Sequence, residues 1–171
     1  MAARPTLSEQ TPPQVKKTVI DVVAWRHIPA VHQLFVQAVR QHFGYFDEAV
    51  QNQVIHDHRP LKLALAKVHK RRLVLSAHYG GELVGYAIGA VPTGGHGQIY
   101  WLYVDPSRRG KNTGLALLSR MLKLQRALGA YEISLATHDH RRYYERQGFS
   151  WREAELVNGV RMDIMTFRLG A

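Results

Sequence analysis

The residues best placed to do chemistry form one run: Leu102-Tyr103-Val104-Asp105-Pro106-Ser107-Arg108-Arg109-Gly110-Lys111-Asn112-Thr113-Gly114. An apolar, strand-like stretch ends at Val104, Pro106 turns the chain, and a basic loop opens directly into a long helix-forming segment. The first N–H groups of a helix have no partner inside it and lie at the positive end of its dipole. Gly110 and Gly114 allow a backbone to come close to a ligand, and Arg109 and Lys111 add charge. A loop of this kind suits a pyrophosphate. A helix start that needs only a turn and a glycine has the same spacing, so the pattern alone leaves both readings open. Neither G-x-x-x-x-G-K-[ST] nor G-x-G-x-x-G occurs.

Other reactive constellations are thin. The chain of 171 residues has no cysteine, which removes disulfides, thiolate metal sites and cysteine nucleophiles. His56-Asp57-His58 and His138-Asp139-His140 are H-x-H pairs on unrelated segments. Without a partner carboxylate they do not make a metal centre, and none is expected.

The elements that must carry these residues can be read from periodicity. Residues 18–24 are β-branched and apolar, a first strand. Residues 29–42 place Val31, Leu34, Phe35, Ala38 and Val39 at helical spacing. Asp47 caps a second helix holding Val50, Val54 and Ile55, which Pro60 ends. Residues 61–69 lean towards helix by composition. Strands at 72–77 and 83–91 flank Tyr79-Gly80-Gly81-Glu82, a hairpin signal. A glycine-rich loop, 92–97, leads to a strand over 98–104. The helix over 113–128 carries a stripe of Leu117, Met121, Leu124 and Leu128, with Gly129 past its end. A buried strand (131–136) and a short helix (140–147) stopped by Gly148 follow. Strands at 149–157 and 160–169 then surround Asn158-Gly159, a type I′ turn signature. The expectation is a mixed α/β sheet in one domain, residues 18–171, behind a flexible, proline-containing tail at 1–17.

Charge narrows the partners without choosing one. Lys and Arg number 23 against 13 Asp and Glu, a net charge of +10. A basic surface kept soluble by charge, an anionic cofactor, an anionic acceptor and a nucleic acid are all compatible with it. The positives fall in small groups at Lys70-Arg71-Arg72, Arg108 to Lys111 and Arg141-Arg142. No apolar run approaches the roughly 20 residues that cross a membrane, and the first residues lack a secretory apolar core. A cytoplasmic location is the expectation.

The loop resembles the acetyl-CoA signature of the GNAT superfamily of N-acetyltransferases, [QR]-x-x-[GA]-x-[GA] preceded by V-x-P and followed by an A-L-L helix. Here Val104-Asp105-Pro106, Arg109-Gly110-Lys111-Asn112-Thr113-Gly114 and Leu115-Ala116-Leu117-Leu118 stand in those places. Asn112 replaces the usual glycine, and asparagine is among the residues most tolerant of left-handed backbone. Downstream, Tyr144-Glu145-Arg146-Gln147-Gly148-Phe149 is similar to the family's Y-x-x-x-G-F.

The resemblance implies a mostly antiparallel central sheet flanked by helices, with its fourth and fifth strands splayed, and acetyl-CoA as cofactor. The backbone of Leu102, Tyr103 and Val104 would pair with the pantetheine arm, and residues 109–114 would wrap the pyrophosphate. Thr137 stands where the family often has an asparagine touching that arm. Tyr144 would protonate the departing thiolate. A phenol near pKa ~10 is a protonated donor at neutral pH, and a thiol near ~8.5 leaves best protonated. Many members carry a glutamate base where this chain has Gln98, and an amide is no base. Tyr45 and Phe46, between the first two helices, could line the acceptor pocket or simply pack. The implied activity is acetyl transfer to a primary amine, an α-amine for preference, on a small molecule, peptide or aminoacyl-tRNA. The alternative is a catalytically silent acyl-CoA-binding module.

Overall fold

The computed structural model describes residues 17–170. The tail expected over residues 1–17 therefore lies outside the described residues, except for Lys17. In chain order the elements are β1 (Thr18–Val22), a 3₁₀ turn at Trp25–His27, α1 (Ile28–His42), α2 (Glu48–Asp57), α3 (Pro60–Val68), β2 (Arg72–Tyr79) and β3 (Glu82–Ala90). Then come β4 (His96–Val104), a 3₁₀ turn at Pro106–Arg108, α4 (Thr113–Ala127), β5 (Glu132–Thr137), α5 (Arg141–Arg146), β6 (Ser150–Val157) and β7 (Val160–Arg168). Seven strands form one sheet in the order β1-β2-β3-β4-β5-β7-β6. The β4–β5 pair is parallel and the other pairs are antiparallel.

Local chemistry explains most of the boundaries. The Asp47 carboxylate accepts the Val50 N–H at 2.7 Å and so satisfies one of the orphan donors at the start of α2. Pro60 separates α2 from α3 and sits in the first turn of α3, where its missing N–H costs nothing. Gly80 and Gly81, and Asn158 and Gly159, all have positive φ, as primed hairpin turns require. Two expectations need correction. β1 stops at Val22, two residues short of the stretch read as strand, and a 3₁₀ turn follows at Trp25–His27. The buried stripe of α4 runs Leu117, Leu118, Met121, Gln125; Leu128 caps the helix C-terminus and is 47% exposed. The i, i+4, i+8 row from Leu117 passes through Gln125, so an amide occupies the place that apolar content alone assigns to leucine.

The sheet separates two cores. On one face α4 packs through Leu117, Leu118 and Met121 against Leu75, Ala87, Ile99, Val104, Ile133 and Leu135. On the other, Val31, Phe35, Val39 and Leu63 from α1 and α3 pack on Val74, Tyr86, Ile88 and Tyr103. On that second face Gln98 and Ala136, from the adjacent strands β4 and β5, are exposed.

Candidate active site

β4 and β5 pair from His96 with Glu132 to Ile99 with Leu135, and their pairing ends there. β4 continues to Val104 along β3, while β5 continues to Thr137 along β7. The two strands diverge into a wedge beside the N-terminus of α4. Tyr100 drives the divergence. Ile99 pairs with Gly89 and Trp101 with Ile88, so Tyr100 is an extra residue, a β-bulge that bends the strand. The bulge also reverses the alternation of side chains. Ile99 faces α4, and past the bulge Leu102 and Val104 do so, while Trp101 and Tyr103 turn towards α1.

A buried amide holds the strand just before the bulge. The Gln125 Nε2 donates to the Gln98 carbonyl at 3.0 Å and to the Ala90 carbonyl at 3.2 Å, tying β4 and β3 to α4. Gly97 must be glycine here, because a Cβ would land on the Gln125 Oε1. Gln98 itself directs its side chain to the exposed face opposite α4. Its amide is therefore accessible at the closed end of the wedge.

The basic loop closes the open end. Gly110 has φ of 80°, and Asn112 has φ of 57° and ψ of 15°, the left-handed geometry for which an asparagine is suited. No side chain caps α4 at Asn112, so the N–H groups of its first turn keep their donor capacity. The Arg109 Nε donates to the Val104 carbonyl at 3.2 Å and braces the loop on the end of β4. The Lys111 ammonium lies 4.2 Å from the centre of the Tyr79 ring, and Arg108 pairs with Glu82 at 2.6 Å. Thr113 is buried. At Gly114 a Cβ would stand 3.5 Å from the Tyr143 Oη and 3.8 Å from the Val104 Cγ2, ordinary contacts. The protein's own packing thus leaves room at Gly114, and a bare backbone there serves whatever enters the wedge.

Tyr144 sits on α5, the short helix that follows β5. Its ring meets Tyr143 at 5.1 Å and Phe149 at 5.6 Å between centroids. Burial, then Tyr143 and Tyr45, push the Tyr144 hydroxyl well above the usual phenol range, which keeps its proton in place at neutral pH. Tyr45 stacks on His138 at 4.4 Å, and burial together with Asp139 raises its pKa too. Phe46 is buried beneath Tyr45 and supports it from the core. The Thr137 Oγ1 accepts the His140 N–H at 3.2 Å, fixing the turn into α5 and leaving its own hydroxyl proton free to donate. The Tyr103 ring is buried against Tyr86, so only its backbone can face the wedge. Sequence reasoning missed Gln125 and the bulge. A glutamine in the buried register of a helix, opposite the small Gly97 and Gly89, was the signal for the first.

The profile of the acetyltransferase (GNAT) family matches residues 31–149. The chain belongs to that family. An uncharacterized N-acetyltransferase of Mycobacterium bovis is 30% identical over 105 residues, 59% of this chain and 61% of that protein. The match thus spans less than two thirds of that relative. PaiA N-acetyltransferase of Thermoplasma acidophilum, solved in complex with coenzyme A, superposes with a TM-score of 0.72 at 18% identity, over 90% of this chain and 99% of that one. YncA of Salmonella typhimurium, solved with its cofactor acetyl-CoA, gives 0.69 at 16%, over 91% and 95%. The wedge, the left-handed loop and α4 all fall inside the matched GNAT region.

Proposed function

We propose that residues 18–171 form one catalytic domain that moves an acetyl group from acetyl-CoA to the α-amine of an acceptor. The observation that carries this is the wedge itself: an unpaired strand edge that ends at a capless helix start with a left-handed, basic loop. In this reading the N–H groups of residues 110–114 and the charge of Arg109 and Lys111 hold the pyrophosphate. The free edge of Leu102, Tyr103 and Val104 pairs with the amide-bearing arm, and the hydroxyl of Thr137 donates to it from the facing strand. Room at Gly110 and Gly114 and the uncapped donors are what the residues offer such a group. When bound, the cofactor supplies an activated thioester. An amine nitrogen would form the C–N bond as the C–S bond breaks and shed its surplus proton to water, while the Tyr144 hydroxyl would give its proton to the departing sulfur and recover one from water. The Tyr144 hydroxyl holds its proton at neutral pH, as an acid must, although burial makes it a weaker acid than a free phenol.

The choice of an α-amine rests on Gln98. An amine attacks only when neutral. At pH 7 an α-amine near pKa ~8 is neutral to about 10%, a lysine near ~10.4 to less than about 0.1%. With an amide where a carboxylate base could stand, the acceptor that needs less help is favoured. The test is thiol release with acetyl-CoA and two peptides, one with a free N-terminus and acetylated lysines, the other reversed. The first should be preferred, with a rate that climbs towards the amine's own pKa. Preference for the lysine peptide, or a profile flat above about pH 6, overturns the α-amine reading.

A further inference from the structure

The wedge does not account for a second concentration of charge. Lys62, His69, Arg71 and Arg72, together with Asp57, Leu65 and Ala66, line a groove of about 470 Å³ between α3 and the start of β2. The Asp57 carboxylate is already taken: Lys62 reaches it at 2.5 Å and the Gln53 Nε2 at 2.8 Å. That leaves Arg71 and Arg72 without a carboxylate partner in the groove. Arg71 is exposed, and its backbone N–H donates to the Ala66 carbonyl at 2.8 Å, which fixes the segment while the side chain stays free.

The groove adjoins the wedge. The Arg72 guanidinium lies 5.7 Å from the ring centre of Tyr100, the bulge residue at the closed end, and that ring is 41% exposed. Tyr100 is two residues from Gln98, whose side chain shares the exposed face. A chain whose amine sits at the wedge and which leaves along this face passes Tyr100 and meets Arg72. At about 3.3 Å per extended residue, three to five residues reach roughly 10–16 Å along this face.

We propose that this groove is a subsite for carboxylate side chains of a peptide acceptor, carried three to five residues after the amine that is acetylated. The proposal rests on the α-amine reading above and adds the substrate class to it. A peptide fits better than a nucleic acid. The cations line one groove beside Leu65 and Ala66, rather than repeating along a stripe as a phosphate backbone requires. Arginine suits the partner, because its planar fork meets a carboxylate with two parallel bonds.

The experiment compares two peptides with the same free N-terminal residue, one with Asp and Glu at positions four to six and one with Asn and Gln there. Wild type should show a kcat/KM about tenfold higher for the acidic peptide, through KM, with the advantage shrinking as salt rises. In Arg71→Gln/Arg72→Gln the ratio should fall towards one. The N-acetylated acidic peptide, which cannot be a substrate, should bind wild type measurably more tightly than its neutral counterpart by fluorescence anisotropy. A ratio near one in wild type, a ratio untouched by the double variant, or an aminoacyl-RNA acceptor that outcompetes every acidic peptide overturns the subsite. If no peptide is acetylated yet the acidic product binds and Arg71→Gln/Arg72→Gln abolishes that binding, the groove stands and the transfer reading fails. Melting temperatures of the double variant and wild type show whether the fold is kept.

Discussion

Replacing Gln125 by methionine keeps the length and approximate volume of the side chain and removes its polar end. The change deletes two hydrogen bonds, to the carbonyls of Gln98 and Ala90, from a side chain with no solvent exposure. Each such bond contributes about 1 kcal/mol net, and carbonyls left short of a partner raise the cost. Against this, the Gln125 Oε1 is buried without a hydrogen-bond partner, and its removal relieves some of the loss. The balance is a destabilisation of about 1–3 kcal/mol, which in a protein of this size lowers Tm by roughly 2–12 °C. Urea unfolding followed by circular dichroism measures it. A second substitution sharpens the test, because a Cβ at Gly97 meets the Gln125 amide directly. Gly97→Ala should therefore be costly alone and less so beside Gln125→Met, with a coupling above about 0.5 kcal/mol. A neutral Gln125→Met, or strict additivity of the pair, refutes the clamp. The clamp holds β4 two residues before the bulge, so loosening it should also raise the acceptor KM more than it lowers kcat.

Two further outcomes follow from the geometry. Gly114→Trp places a large side chain where Tyr143 and Val104 leave a narrow space, and calorimetry should show coenzyme A affinity falling at least about tenfold; unchanged affinity overturns the loop assignment. His58 is buried, stacks on Phe35, and burial holds its pKa down at about 4 against an ordinary 6.5. Between those values the unfolded chain binds a proton that the folded chain refuses. Stability is therefore full above about pH 6.5 and drops as the pH falls towards 4, by about 1.4 kcal/mol per unit and roughly 3 kcal/mol in all. Unfolding curves for His58→Gln should lose most of that slope; an identical slope assigns the acid sensitivity elsewhere.

The parts of the fold set by local chemistry were legible from residue order. Asp47 caps α2, Pro60 divides α2 from α3, and the Gly80-Gly81 and Asn158-Gly159 turns adopt the positive φ that their residues suggest. The loop was legible for the same reason, and Asn112 takes the left-handed conformation expected of it. What depends on pairing across the sheet was not. The bulge at Tyr100 is a register shift between β3 and β4, and a single strand's alternation carries no trace of it. Gln125 had no place in the apolar stripe, because burial of an amide depends on two carbonyls from other strands. Phe46 and Tyr45 are neighbours in sequence, yet one is buried in the core and the other stacks on His138, a contact between segments far apart in the chain.

The central claim is that acetyl leaves a thioester at this wedge with Tyr144 as the acid, and single-turnover kinetics of Tyr144→Phe test it most directly. Phenylalanine keeps the ring contacts with Tyr143 and Phe149 and removes only the hydroxyl group. With acetyl-CoA and an N-terminal peptide, wild type should release one thiol for each amine acetylated, seen by a thiol-reactive dye and by mass. The variant should bind coenzyme A with nearly the same affinity and release thiol about 10²-fold more slowly. Full-speed release from Tyr144→Phe, or a wild type that binds coenzyme A and releases no thiol with any amine, contradicts the account.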